Sequence, residues 1–405
     1  MCVLVINSGS SSLKYKLYDM KNNNILATGL VERIGCNGSS NYVFTHDGHG
    51  KLNLEQSIDN HKEALKLVLD TLQDASYGAI DSLSDIYAVG HRVLHGKESY
   101  ANSVVVTEQV IDTLKGFIEL GPLHMPANIM GIEACKELMP DVVQVAVFDT
   151  AFHQTIPEKA FLYAIPYELY QEHGIRKYGF HGTSHRYLSH KVAELLKQPL
   201  EQLRIITLHL GNGCSMAAVK NGVCIDTTMG LTPLEGLIMG TRSGDLDPAV
   251  IRFLAEKLDM SIIEIDDMLN KQSGLLGISG ISSDMRDIHS AVDADDKRAK
   301  LAYEVFIYRI RKYLGAFWVA MGGVDAIVFA GGIGENDKLV RRDVCSDLKW
   351  LGLEIDDEKN NGCNRKEKSI SKDSSKVRVM VIPTDEELVI AQDALRLAKR
   401  EYAVR

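Results

Sequence analysis

Two stretches of this chain, about 200 residues apart, follow the same plan, and that repetition limits the open folds more than any other feature. In the first, the apolar run Val3–Ile6 meets Asn7-Ser8-Gly9-Ser10-Ser11-Ser12, and alternation resumes at once with Leu13, Tyr15 and Leu17 against Lys14, Lys16 and Tyr18. In the second, Ile205–Leu210 meets Gly211-Asn212-Gly213-Cys214-Ser215, and another alternating run leads to Asn221-Gly222, a strong hairpin signal. Each unit reads as strand, turn of small residues, strand. Such a turn presents backbone N–H groups and hydroxyls with no bulky side chain in the way, a concavity suited to phosphate oxygens, and Lys14 can add a positive charge. One serine-rich hairpin alone is commonplace. Two in corresponding positions point to two similarly folded domains, with a nucleotide clamped in the cleft between them.

The rest of the chain reads as mixed α/β. Strands are expected at Val3–Asn7, Leu13–Tyr18, Ile86–His91, Val142–Phe148, Ile205–Leu210, Met216–Lys220, Ala326–Ala330 and Val377–Ile382. Helices are expected at His61–Gln73, Ala127–Leu138, Pro248–Lys257 and Asp296–Met321. In the last, Tyr303, Phe306, Ile310, Tyr313, Leu314 and Phe317 recur at helical spacing, a core stripe. The polar stretch Glu354–Lys376 reads as a solvated excursion whose charges need no partner. The first domain is expected over 1–150, completed by 386–405, and the second over 151–385.

Composition excludes several classes. With 405 residues, 45% hydrophobic and 24% charged, there is ample chain for a large core. A net charge of -9 argues against a nucleic-acid binder held by phosphate contacts. Seven scattered cysteines with no CxxC fit free thiols in a reducing compartment, not a zinc cluster or a disulfide framework. The opening lacks a signal-peptide pattern, and no apolar run is long enough to span a membrane, so the expectation is a cytoplasmic protein.

A third turn follows the buried strand at Ala326–Ala330: Gly331-Gly332-Ile333-Gly334, with Glu335-Asn336 expected at a helix start. Its glycines let a ligand approach the backbone. It is not GxGxxG, and no Walker A sequence occurs. Arg92 in "GHRVLHG" and Arg242 in "MGTRSGD" sit among small residues beside strand-like or turn-like segments, where a guanidinium can meet a carboxylate or phosphate bidentately. Asp149 ends the strand "VVQVAVFD", and ligands in α/β sheets bind beyond such ends. His181 and His185 are spaced i, i+4, but the glutamate of an HExxH zinc motif and a third ligand are missing.

The segments "VLVINSGSSSLKYKLY", "HRVLHG", "FDTAFH", "YGFHGTSH", "HLGNGCSMAAVKNG", "DTTMGLTPLEGLIMGTRSGDLDP" and "FAGGIGEN" resemble the acetate kinase family over essentially the whole chain. That family belongs to the acetate and sugar kinase, heat-shock chaperone and actin superfamily. The resemblance implies an α/β fold of two similar duplicated domains of the actin-like ATPase (ribonuclease H-like) type, with an active-site cleft between them. It implies reversible Mg²⁺-dependent transfer of the ATP γ-phosphoryl to acetate, with Mn²⁺ as a substitute, and a homodimer formed through the second domain. The alternatives from other classes are a propionate kinase, a sugar kinase and a non-transferring ATPase of the same fold.

Carried over residue by residue, the resemblance makes Arg92, Asp149, His181 and Arg242 catalytic. His181 donates to phosphoryl oxygens in the transition state, and His124 and His209 lie near the site. A carboxylate acceptor, with a pKa near ~4.3, is already ionised at pH 7 and needs no base, so Asp149 orients either Mg²⁺-bound water or Arg92. The acceptor pocket maps onto Arg92, Leu94, Leu123, Phe180 and Pro233, with leucine at 94 where the family usually has valine. ATP falls to Lys14, His209, Leu210, Gly211, Asn212, Gly213, Asp284, Met285, Arg286, Gly332, Ile333, Gly334, Glu335 and Asn336. The metal falls to Asn7 and Glu386, with Glu387 as the competing carboxylate and Asp385 standing where the family commonly has asparagine.

Overall fold

The computed structural model describes residues 1–36, 38–46, 50–122, 124–363 and 367–404. The chain divides into two compact units, Met1–Ala151 with Asp385–Arg405, and Phe152–Thr384.

Eight described strands build the sheet of the first unit: β1 Cys2–Gly9, β2 Ser12–Asp19, β3 Asn24–Glu32, β4 Ser40–His46, β5 Gly50–Gln56, β6 Ile86–Val93, β7 Val104–Val105 and β8 Val143–Phe148. Their order is β5-β4-β3-β2-β1-β6-β8-β7. The pleat of β1 explains its continuous apolar run. Leu4 and Ile6 face one core with Leu65, Val68 and Leu69 of the helix His61–Leu72. Val3 and Val5 face the other, with Ile390, Ala391 and Ala394 of the helix Glu386–Val404. A strand covered on both faces has no polar side. Gly90 on β6 lets that last helix lie close, because a Cβ there would fall 2.6 Å from Ile390 Cγ2.

The second unit repeats the arrangement. Six described strands, β9 Arg204–Leu210, β10 Cys214–Lys220, β11 Val223–Thr227, β12 Ala326–Ala330, β13 Lys368–Ser369 and β14 Arg378–Val381, pair in the order β11-β10-β9-β12-β14-β13. In both units three antiparallel strands continue into two parallel ones: β3-β2-β1-β6-β8 matches β11-β10-β9-β12-β14. The duplication expected from the two hairpins therefore extends through each sheet. Asn221 and Gly222 join β10 to β11 with φ of 55° and 85°, the left-handed pair that a tight two-residue hairpin needs. The helix Gly182–Leu196 packs Leu188 and Val192 against Ile205, Ala326 and Val328. The helix Lys297–Met321 buries Phe306, Ile310, Leu314 and Phe317, while the Tyr303 and Tyr313 hydroxyls donate to Asp343 (2.7 Å) and Asp245 (2.8 Å).

Three local expectations are corrected. The first turn is not six residues long: β1 and β2 stay paired to Gly9 opposite Ser12, leaving only Ser10-Ser11 in the turn. The strand expected to end at Asn7 runs on through Ser8, which is buried, to Gly9. Small polar residues are read as turn, but here tertiary packing holds them in the sheet. Likewise Gly331 begins a short helix, Gly331–Asn336, so Glu335 and Asn336 close it. Finally, 354–376 is not simply solvated. Asn360, Cys363, Ile370 and Ser371 are buried, and Lys368–Ser369 joins the sheet edge. Nor are its charges without partners: among the described residues Lys359 pairs with Asp373 at 2.8 Å, Lys372 with Glu354 at 3.4 Å and Glu367 with Lys191 at 3.4 Å, and the charged composition masks the residues that pack.

Candidate functional site

In the first unit the parallel register pairs Arg92 with Val147 and Val93 with Phe148, so Asp149 emerges just past the end of β8 beside Arg92. The Asp149 carboxylate accepts from Arg92 Nε at 2.9 Å and Nη2 at 2.7 Å, a bidentate pair. Glu386, in the first turn of the last helix, lies 3.8 Å from the same Nη2. Burial alone would lower the Arg92 pKa, but the charges of Asp149 and Glu386 outweigh it and raise it above the ordinary arginine value.

The neighbouring acids are engaged differently. Glu387 accepts from Lys14 at 2.7 Å and Lys16 at 3.1 Å. Burial works against its charge, yet the two lysines hold its pKa at about 2. Asp385 accepts from Tyr18 (3.1 Å) and Lys16 (3.4 Å), and takes the Leu388 N–H at the helix start. Lys14 thus faces Glu387, and Asn7 is its cross-strand partner. Asn7 and Glu386 offer only oxygen donors, the type that suits Mg²⁺ or Mn²⁺ rather than a soft metal. No group of three or more metal-ligating His, Cys, Asp or Glu occurs among the described residues.

Asn128, absent from the sequence reading, ties Ser8 of β1 to Leu94, the residue that follows β6. Its Nδ2 donates to the Ser8 carbonyl at 2.8 Å and its Oδ1 accepts from Leu94 N–H at 3.0 Å. No local signal marks it, because its partners come from distant strands. The Leu94 side chain packs with the cluster of Val93, Met125 and Phe148. A Cβ at Gly121 would come within 2.7 Å of its Cδ2. His124 immediately precedes the helix Met125–Leu138. Leu123 lies outside the described residues.

In the second unit, β9 and β12 are parallel with Ala330 opposite His209, so the turns that follow them lie side by side. Gly331 has a φ of 76°, and a Cβ there would sit 2.7 Å from the Leu210 carbonyl, so close approach excludes any side chain. At Gly332 nothing lies within 4 Å of a Cβ, and the position is exposed. Glu335 turns back on its own helix, accepting from the N–H of Gly331 (2.9 Å) and Thr384 (3.2 Å). Asn336 Nδ2 donates to the Gly332 carbonyl at 2.7 Å, and Ile333 is half-buried between them. Arg341, fully buried, donates to the carbonyls of Gly334 (2.9 Å) and Glu335 (3.0 Å) and to Asn360 Oδ1 (2.8 Å). It ties the otherwise polar 354–376 segment to the glycine turn.

The Gly211–Gly213 turn gathers the remaining candidates. A Cβ at Gly213 would lie 3.5 Å from both Arg242 Nη1 and His181 Cε1. One at Gly240 would collide with Asn212 Oδ1 and stand 3.1 Å from the Ser283 carbonyl, beside Asp284. Asp284 caps the helix Met285–Asp293 and binds Arg286, which holds its pKa at about 2; Met285 is buried and Arg286 exposed. Arg242 Nη1 donates to the Pro233 carbonyl at 3.2 Å. Among the described residues it has no carboxylate partner, and burial lowers its pKa.

His181 stands at the start of Gly182–Leu196 with a φ of 56°, a left-handed setting that is strained for a non-glycine residue. Its ring stacks on His209 at 4.2 Å between centroids, and its Nδ1 lies 2.8 Å from Ser215 Oγ. Phe180 is buried, and its carbonyl accepts from His153 Nε2 at 2.9 Å. His185 faces Thr207 and Ser215, so the i, i+4 histidines meet hydroxyls rather than a metal set.

The acetokinase family model matches residues 2–392. The chain is 53% identical over 400 residues to "Acetate kinase 2" of Clostridium perfringens (strain 13 / Type A), covering 99% of this chain and 100% of that protein. Its structure is similar to that of Porphyromonas gingivalis acetate kinase, with a TM-score of 0.94, 48% identity and coverage of 98% and 99%. It is also similar to a propionate kinase from Francisella tularensis subsp. tularensis SCHU S4, with a TM-score of 0.91, 43% identity and coverage of 98% and 99%.

Proposed function

The chain belongs to the acetokinase family and is a phosphotransferase with a carboxylate acceptor, and on that premise we propose that it transfers the ATP γ-phosphoryl reversibly and directly to acetate, giving acetyl phosphate and ADP. What carries the reading of the site is Arg242. It is a half-buried guanidinium at the Gly213 turn, held by a neutral carbonyl and with no carboxylate partner among the described residues. A cation in that state calls for an anion.

Arg242 and the His181 Nε2–H stabilise charge on the γ-phosphoryl oxygens as it develops. The N–H groups of Asn212, Gly213 and Gly332 hold the nucleotide phosphates, those of Gly211 and Gly331 being taken by the Gly213 carbonyl and Glu335. Arg92 binds the acceptor carboxylate, and Asp149 fixes its guanidinium through both oxygens. Asp149 acts as an orienting group, since the acceptor arrives already ionised. Lys14 and Lys16 claim Glu387, which favours Glu386, with Asn7, as the Mg²⁺ side. A magnesium ion bound there would neutralise charge on the β- and γ-phosphates.

The short-chain alternative, propionate, is weighed by Leu94, whose extra methylene favours the smaller acid. A coupled assay of ADP formation with acetate, propionate, glycerol or no acceptor tests the reading. Turnover with acetate well above propionate is expected. Equal turnover without acceptor points to a plain ATPase, and turnover with glycerol to a sugar kinase. We further propose a cytoplasmic homodimer. The helix Ala249–Leu258 buries none of its residues, and Phe253, Leu258, Ile262 and Ile263 are 60–79% exposed, an apolar face suited to a second copy. Sedimentation of Phe253→Asp/Ile263→Asp should give monomer; an unchanged dimer would place the interface elsewhere.

A further inference from the structure

On the antiparallel pair β9–β10, Ser215 stands opposite His209 and Ala217 opposite Thr207. Thr207, His209 and Ser215 therefore share one face. The segment His181–His185 packs on that face with His181, Ser184 and His185 in i, i+3, i+4 relation. Three contacts join them in a line: Thr207 Oγ1 to His185 Nδ1 at 2.7 Å, His185 Nε2 to Ser215 Oγ at 2.8 Å, and Ser215 Oγ to His181 Nδ1 at 2.8 Å. Thr207, His185 and Ser215 are each 0% exposed.

We propose that Thr207, His185 and Ser215 are positioning residues that hold the His181 imidazole in the tautomer carrying its proton on Nε2. The proposal rests on His181 acting as the phosphoryl donor described above. The direction of the chain follows from counting hydrogens. Each hydroxyl has one proton, and each neutral imidazole has one donor and one acceptor nitrogen. If Thr207 donates to His185 Nδ1, then His185 Nε2–H donates to Ser215 and Ser215 O–H donates to His181 Nδ1. The His181 proton is then on Nε2, the atom that lies 3.6 Å from a Cβ at Gly213.

Reversing every bond puts the His181 proton on Nδ1 and leaves the Thr207 O–H at the far end without an acceptor. Among the described residues Thr207 Oγ1 has no hydrogen-bond partner other than His185. Turning only the Ser215–His181 bond, so that Ser215 Oγ accepts from both rings, leaves the Ser215 O–H without an acceptor among the described residues; a fully buried donor without an acceptor is disfavoured in either case, so the line runs one way. Burial, with His153 and His209 nearby, keeps His185 well below the ordinary imidazole pKa, so it stays neutral and orients without conducting a proton. The other titratable groups around the line are the His209 ring stacked on His181, His153 bonded between Cys224 and the Phe180 carbonyl, and Arg242 across the Gly213 turn.

The test is the protonation pattern of the histidine rings in the full-length protein, labelled with ¹⁵N-histidine and read by long-range proton–nitrogen correlation. His181 is assigned by its loss in His181→Gln. Wild type should carry the His181 proton on Nε2. Ser215→Ala should give a mixture of tautomers, with kcat down about 10–100-fold and KM for ATP unchanged. Thr207→Val should act in the same direction and Thr207→Ser should restore the pattern, which keeps the test open if Ser215→Ala does not fold. A His181 proton on Nδ1 in wild type would overturn the proposal. So would folded Ser215→Ala and Thr207→Val proteins with the wild-type pattern. If His181→Ala instead kept full kcat, the donor role would fall, while the spectra would still decide the hydrogen-bonded line.

Discussion

Replacing Asp149 by Asn removes one negative charge and changes almost nothing in shape. The Asp149 side chain is 1% exposed and that of Arg92 26% exposed, and the two share a bidentate contact. Leaving one charge of a buried pair unpaired costs about 3–5 kcal/mol. Arg92 keeps some access to water, and Glu386 stands 3.8 Å from its Nη2, so part of that loss is recovered. The expected destabilisation is therefore about 2–3 kcal/mol, or a fall in Tm of about 4–12 °C for a unit of this size. The amide NH₂ also meets an Arg92 N–H donor, which turns the guanidinium away. A misplacement of about 1 Å at a reacting group costs about 10²-fold in kcat. Acetyl phosphate formation would be followed by trapping as the hydroxamate, and Tm by calorimetry. The double variant separates an orienting group from an independent one. If Asp149 works through Arg92, Asp149→Asn adds little to the kcat loss of Arg92→Ala. Multiplying losses would refute the orienting role, and an unchanged Tm would refute the energetic reasoning.

Arg242→Ala should lower kcat by about 10²–10³ with little change in ATP binding, and a variant with wild-type kcat would remove Arg242 from the chemistry. Acetate should be preferred to propionate by at least about tenfold in kcat/KM, and Leu94→Ala should narrow the gap; equal values in wild type would take Leu94 out of the pocket. Glu387 gives a pH prediction. Its folded pKa is about 2 against 4.5 ordinarily, so the unfolded chain binds a proton there first as pH falls. The stabilisation is complete above about pH 4.5 and is lost between there and about pH 2. Urea unfolding should therefore show Glu387→Gln weaker than wild type by about 2 kcal/mol at neutral pH, with the difference shrinking at about pH 3; a constant difference would mean the lysine contacts do not set that pKa.

The sequence by itself determined the duplicated plan. Alternation in Leu13–Leu17, the apolar strand Val3–Ile6 and the tight Asn221-Gly222 turn all follow from backbone geometry over a few residues, so they are legible locally. The long helix was legible for the same reason, as was the family, whose motifs run through the whole chain. Tertiary structure decided what depends on partners through space. Three consecutive acids, Asp385, Glu386 and Glu387, are alike in sequence, but the first turn of a helix sends them to different neighbours: Tyr18 and Lys16, Arg92, and the Lys14–Lys16 pair. Asn360 looked solvated until buried Arg341 claimed both its side chain and its carbonyl. Thr207, His185 and Ser215 come from a strand, a helix and the next strand, and each alone is an ordinary residue. A hydroxyl proton has no direction until both of its neighbours are in place, and only the packing of that helix on β9 and β10 supplies them.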